Sequence, residues 1–194
     1  MGADPVLDVT WEWIALDKAA LDVANTVAVE NGVEHDLLAP DEEYARWAKA
    51  AARSPELKPD EAAAIADSRA PVLGLRGQIR AVLKATAAGK PLPKPAVATL
   101  NKASRAAPEW TEIAVDGQIE RRAHAGGVER LLADYARSAM EIAAEGTAGL
   151  RVCGAPSCGM FYRPRRRQQR WCSEPCGNRA RFARHYARRT DIPV

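Results

Sequence analysis

Apolar and polar positions along this chain follow two periods, and most of its length follows the helical one. Residues 16–29, containing Ala20-Leu21-Asp22-Val23-Ala24-Asn25-Thr26-Val27, read as a first helix. Pro40-Asp41-Glu42-Glu43 opens a second, running to about Ala52, with its acids placed against the helix dipole. Pro59-Asp60-Glu61 begins a third, and Pro71 is expected to interrupt before an amphipathic stretch reaching about Ala88. A stiff connector, Gly89-Lys90-Pro91-Leu92-Pro93-Lys94-Pro95, leads into a helix over 96–106. Trp110 to Val115 and Gln118 to Ala123 flank Asp116-Gly117, the signature of a tight β-hairpin. From Val128, Leu131, Leu132, Tyr135, Ala139, Ile142 and Ala143 fall on one helical face, and Gly146 and Gly149 are placed to end that helix. The pattern predicts a mainly α (α+β) protein with a multihelical N-terminal domain that carries a β-hairpin.

Hydrophobic residues make up 47% of the chain, enough to build a buried core, and 194 residues fit one ordinary domain with a small appendage. Met1 to Ala20 lacks the basic and apolar regions of a secretory signal, and no apolar run is long enough for a membrane span. A cytoplasmic location is expected, where clustered cysteines indicate metal more than disulfides.

The net charge of +3 conceals a strong asymmetry. Residues 151–194 hold 11 Arg and no Lys against Glu174 and Asp191, a balance of +9. Residues 1–150 hold 17 basic side chains against 23 acids, a balance of −6. Arginine is the better ligand for phosphates and base edges, so the composition of the tail points to a polyanion partner.

All four cysteines lie within 24 residues as C-x4-C-x13-C-x3-C. Two close pairs joined by a loop suit a tetrahedral thiolate site, with Cys153, Cys158, Cys172 and Cys176 as ligands to one structural zinc ion. An iron–sulfur cluster, two disulfides and redox-active thiols are the alternatives that spacing leaves open. A catalytic zinc is not expected, because four cysteines leave no position for water. Ser173 suits a helix N-cap, with Glu174, Pro175 and Cys176 in the first turn. Gly159 to Tyr162 and Gln168 to Trp171 are expected to pair as a short hairpin, with Phe161 and Trp171 covering the metal. Knuckle, hairpin and helix-borne pair would form a small treble-clef-like zinc module.

Arg170-Trp171-Cys172-Ser173 followed by Cys176-Gly177-Asn178-Arg179 resembles the signature of the bacterial CGNR zinc finger family, and Cys153, Cys158 and Phe161 fit the same pattern. Members of that family commonly carry an N-terminal ABATE domain, associated with stress-induced transcription regulation. Ala20-Leu21-Asp22-Val23-Ala24-Asn25-Thr26 resembles that domain's "LDLVNT" segment and departs from it at Val23-Ala24. The resemblance is specific over about residues 151–189. It implies an ABATE-like regulatory or sensing domain over 1–150 and a CGNR-type finger with a basic helix over 151–194; residues 1–150 expressed alone are expected to fold. The implied protein is a zinc-containing, DNA-binding regulator of stress response that associates with the nucleoid.

On a helix over 174–189, Arg181, Arg184 and Arg188 share one face. Phe182 and Tyr186 fall roughly opposite, near Arg179. The simplest arrangement docks the aromatics on the zinc module and turns the three arginines outward. Arg163, Arg165, Arg166, Arg167 and Arg170 would supply a second set of phosphate contacts, and Arg189 extends the helical set. Neutralising roughly four to six phosphates predicts a log–log salt slope of about −4 to −5. Asn178 is expected to brace the zinc loops, while Arg179 suits either that role or nucleic acid.

Asp22, Asn25 and Thr26 are polar within an apolar segment. They are candidates to line a pocket for a small-molecule effector, or else form a buried hydrogen-bonded cluster. His35, His124 and His185 sit in no recognisable motif, and Glu42-Glu43 reads as dipole compensation. Without a phosphate-binding glycine loop or a G-x-S-x-G elbow, no enzymatic activity is expected. The competing function is an RNA- or ribosome-associated module, in which exposed Phe182 and Tyr186 would stack on bases. A protein-interaction finger aimed at an acidic partner is a third reading. A homodimer would raise the affinity of so small a binding unit.

Overall fold

The computed structural model describes residues 18–30, 33–53 and 57–190, without the side chains of residues 30, 121, 123 and 188–190. Its centre is three mutually packed helices: α4 (Arg69–Ala87), α5 (Lys94–Ala106) and α6 (Gly127–Gly149). Leu75, Ile79 and Leu83 of α4, Leu100 of α5, and Leu131, Tyr135 and Ile142 of α6 recur at helical spacing and are buried together. Pro71 does not interrupt α4. It stands in the first turn, where its missing N–H would have no intrahelical partner anyway.

The short helix α1 (Ala19–Ala24) is buried along its whole length and packs on α4 and α6. The first predicted helix is thus a correction: residues 16 and 17 lie outside the described residues, and helix ends at Ala24. The Thr26 hydroxyl bonds back to Val23 O at 2.7 Å, and the chain turns into β1 (Val27–Glu30). This strand pairs antiparallel with β2 (Val33–Asp36), so β-branched Val27 and Val29 take the extended state that suits them.

Two arginines of α4, each 7% exposed, clamp this hairpin. Arg76 spans Thr26 Oγ1 at 2.9 Å and the Asp36 carboxylate at 2.5–2.8 Å. Arg80 reaches Ala24 O at 2.6 Å and Glu34 at 2.9 Å. Helices α2 (Asp41–Ala51) and α3 (Pro59–Ala64) complete the helical body, with Trp47 and Ile65 in the core. The predicted Asp-Gly hairpin joins β3 (Glu109–Ile113) to β4 (Ile119–Ala123), and Gly117 takes the left-handed φ of 82° that the turn requires.

Gly146 breaks the helical path of α6 at φ 64°, ψ −154°, and after Gly149 the chain enters the cysteine module. That module contains β5 (Arg151–Val152), β6 (Phe161–Tyr162) and α7 (Glu174–Thr190). Among the described residues no helix is long and apolar enough to cross a membrane.

Candidate metal centre and nucleic-acid interface

Strands β5 and β6 pair antiparallel, Arg151 opposite Tyr162 and Val152 opposite Phe161, and the turn between them carries Cys153 and Cys158. The bond from Cys153 N to Met160 O, 2.8 Å, continues the pairing into the knuckle. Gly159 sits at φ 64°, and a Cβ there would strike Val29, so the knuckle can rest against β1 only with glycine at this position. Cys172 precedes α7 and Cys176 lies in its first turn, where Ser173 Oγ accepts the Cys176 N–H at 3.4 Å as the expected N-cap.

The sulfurs of the four free cysteines all lie within 4.8 Å of one another. Cys158–Cys172 and Cys158–Cys176 are 3.7 Å apart, and Cys172–Cys176 are 3.5 Å apart. A tetrahedron with zinc–sulfur bonds of about 2.3 Å has edges of about 3.8 Å, so these residues fit a single zinc ion as they stand. Four sulfurs fill the coordination sphere, and the ion is structural. Its formal −2 charge is met at one corner by Arg179, whose Nη2 donates to Cys176 Sγ at 3.2 Å. Among the thiols themselves, the hydrogen bond from Cys172 draws Cys158 down to about 5, while Cys172 and the buried Cys153 are pushed up. A dication at the centre offsets two of the four thiolate charges and leaves the −2 that Arg179 faces.

Met160, Tyr162 and Trp171 pack around the cysteines with Ala155 and Ala180. Phe161 does not cover the metal as expected. It is 2% exposed and belongs to the helical core, where the Arg80 guanidinium lies over it at 5.7 Å from the ring centre. The alternation of a two-residue strand explains the exchange: Phe161 faces the helices and Tyr162 faces the sulfurs. The predicted partner strand is also corrected, since β6 pairs with β5 and not with Gln168 to Trp171.

Residues 165–169 instead form an ordered loop. Arg151 donates to Gln169 O and Arg167 O, both at 2.6 Å, and Tyr162 Oη donates to Gln169 O at 2.9 Å. The Gln169 side chain accepts from Arg165 N and donates to Trp171 O. Arg165, Arg166 and Arg167, all exposed, surround a recess of about 680 Å³. Arg163 is paired with Glu145 at 2.9–3.0 Å, while Arg170 and Arg184 flank a groove of about 420 Å³ against Trp171.

On α7 the docking face is corrected. Phe182 and Tyr186 are each 66% exposed, and the helix seats itself through Cys176, Gly177 and Ala180. Trp171 lies against Gly177, and the Arg184 guanidinium stacks on Trp171 at 5.8 Å. Arg181 bonds to Asn178, which is exposed, while Arg179 donates to Cys176 Sγ and supplies the bracing expected of Asn178. Arg188 and Arg189 lie in the last turn of α7, their side chains outside the described residues.

Asp22, Asn25 and Thr26 are buried, and Asn25 and Thr26 spend their side-chain hydrogen bonds on the surrounding backbone. Asn25 Nδ2 donates to Phe161 O at 2.9 Å and Asn25 Oδ1 accepts Phe161 N–H at 2.8 Å, which joins α1 to β6. Sequence reasoning missed Arg151, Tyr162 and Gln169 as builders of the basic loop, and only the position of Arg151 two residues before Cys153 could have drawn attention to it.

Residues 17–146 match the ABATE family, described as "Putative stress-induced transcription regulator", and residues 150–189 match the CGNR zinc finger family. No curated protein matches the chain.

Proposed function

The chain belongs to the ABATE family and ends in a CGNR zinc finger, and on that premise we propose that this zinc-binding regulator grips duplex DNA through the arginines of its finger. The observation that carries the reading is the recess edged by Arg165, Arg166 and Arg167, with its backbone fixed by Arg151 and Tyr162. Arginines on a preorganised loop lose little entropy on meeting phosphate. Arg170, Arg181 and Arg184 extend the positive surface onto α7 and place a helix where a groove or backbone can receive it. Residues 1–150 serve as the sensing part. The protein acts by binding and not by catalysis, in the cytoplasm and at the nucleoid.

The exposure of Phe182 and Tyr186 favours a second reading. Two rings at i and i+4, interleaved with arginines, are suited to stacking on unpaired bases, as in an RNA-associated module. A selection of the zinc-loaded protein against random duplex DNA, with structured RNA as competitor at near-physiological salt, separates the two. Enrichment of a duplex motif supports the regulator. Preferential competition by RNA, with no motif, overturns it in favour of the second reading.

A further inference from the structure

One cleft lies away from the zinc module, framed by one face of each central helix. Val82 of α4, Val97, Leu100 and Asn101 of α5, and Met140 and Ala143 of α6 line about 220 Å³. The α5 residues follow the i, i+3, i+4 spacing of a core-facing stripe, with Leu100 buried at the floor of the cleft and Val97 and Asn101 half-buried at its side. Leu92 of the proline-rich connector stands at the rim and is 39% exposed. The walls are hydrocarbon and thioether except for Asn101, whose carboxamide has no hydrogen-bond partner among the described residues.

We propose that this cleft binds a small, neutral, largely apolar molecule carrying one hydrogen-bonding group, which Asn101 reads, and that occupancy is felt at the arginine loop. The volume admits roughly seven to ten non-hydrogen atoms. Among the described residues none that lines the cleft is charged, so an ionic ligand would lose its hydration with nothing from them in exchange. The α6 wall ends where α6 itself breaks. Ala143 is followed closely by Glu145, which holds Arg163 at 2.9–3.0 Å, and by the non-helical Gly146. A molecule wedged between α5 and α6 therefore acts on the turn that fixes one end of the basic loop. The inference rests on the sensing role proposed for residues 1–150 and gives that role a place.

The test is a methyl NMR titration of the full-length, zinc-loaded protein with indole, a neutral ring with one N–H donor, alongside indole-3-acetate as its anionic counterpart. The expected result is saturable shifts at Val82, Val97, Leu100 and Met140 with indole and a much weaker response to the anion. Asn101→Leu should weaken indole about tenfold. Ala144→Trp, which fills the cleft from the exposed edge of α6, should abolish the shifts while the fold persists. No saturable shift at millimolar indole, or unchanged shifts in Ala144→Trp, overturns the site. Cleft shifts without any change in nucleic-acid affinity overturn the link to the arginine loop. Failure of the unliganded protein to bind nucleic acid is instead a failure of the proposed function, and the methyl titration still decides the cleft.

Discussion

Asn25 and Phe161 hold each other through two hydrogen bonds, 2.9 and 2.8 Å long, across 136 positions of sequence. The side-chain amide of Asn25 does for β6 what a neighbouring strand would do, satisfying both polar groups of one buried peptide residue. Asn25→Ala should therefore destabilise the protein by roughly 2–4 kcal/mol, because a buried donor and acceptor both lose their partners. Chemical denaturation measures it, and a loss under about 1 kcal/mol would show that water replaces the amide at little cost.

Phe161 joins the helical core from the far side of the cysteine knuckle. Phe161→Ala in the full chain is expected to cost about 3–5 kcal/mol. Residues 1–150 alone are expected to fold but to be weakened by at least as much, since they lack Phe161. Equal stability of the fragment and the full chain would mean that the core closes without Phe161.

Cys172→Ser should release the zinc and unfold the finger, since metal binding supplies most of the folding free energy of so small a unit. Elemental analysis and circular dichroism check the two effects separately. A folded, metal-free variant would show that packing by Tyr162 and Trp171 suffices.

Changing Arg165, Arg166 and Arg167 together to Ala should lower nucleic-acid affinity at low salt and flatten the log–log salt slope by about 3. Arg151→Lys keeps the charge but not the paired bonds to Gln169 O and Arg167 O, so it should weaken binding while changing the slope little. If the triple variant binds as the parent does, the contact lies on α7.

Burial alone would raise the Asp36 carboxyl, but hydrogen bonds from Arg76 and the Leu38 N–H outweigh it and hold its pKa below the usual value. Its contribution to stability is thus present above the unfolded-state pKa and is lost as pH falls through the lower folded value. Asp36→Asn should be less stable than the parent at neutral pH and show a shallower loss on acidification. Parallel acid-unfolding curves would place the acid sensitivity elsewhere.

Much of this was legible in the sequence because it rests on local chemistry. The cysteine spacing, the Asp116-Gly117 turn, the Ser173 cap and the face of α6 each depend on a few neighbouring residues. The errors share one cause, which is competition from distant partners. Val27 and Val29 leave the helical pattern because β2 is available to pair with them. Phe161 turns from the metal because the helices offer it a deeper site, and Phe182 and Tyr186 stay outside because Ala180 and Gly177 bring α7 closer than rings would allow. Asn25 was legible as an unusual polar residue in an apolar segment, but its partner at position 161 was not.

The dipeptide Phe161-Tyr162 belongs to two interiors at once, one side chain to each. A finger of this kind cannot be grafted onto a foreign host as a free-standing cassette. The new host would have to supply an aromatic-sized vacancy, an overlying guanidinium like that of Arg80 and an amide placed like that of Asn25. The two parts of the chain therefore have to be inherited as a matched pair, and a cell short of zinc would loosen the helical core along with the finger.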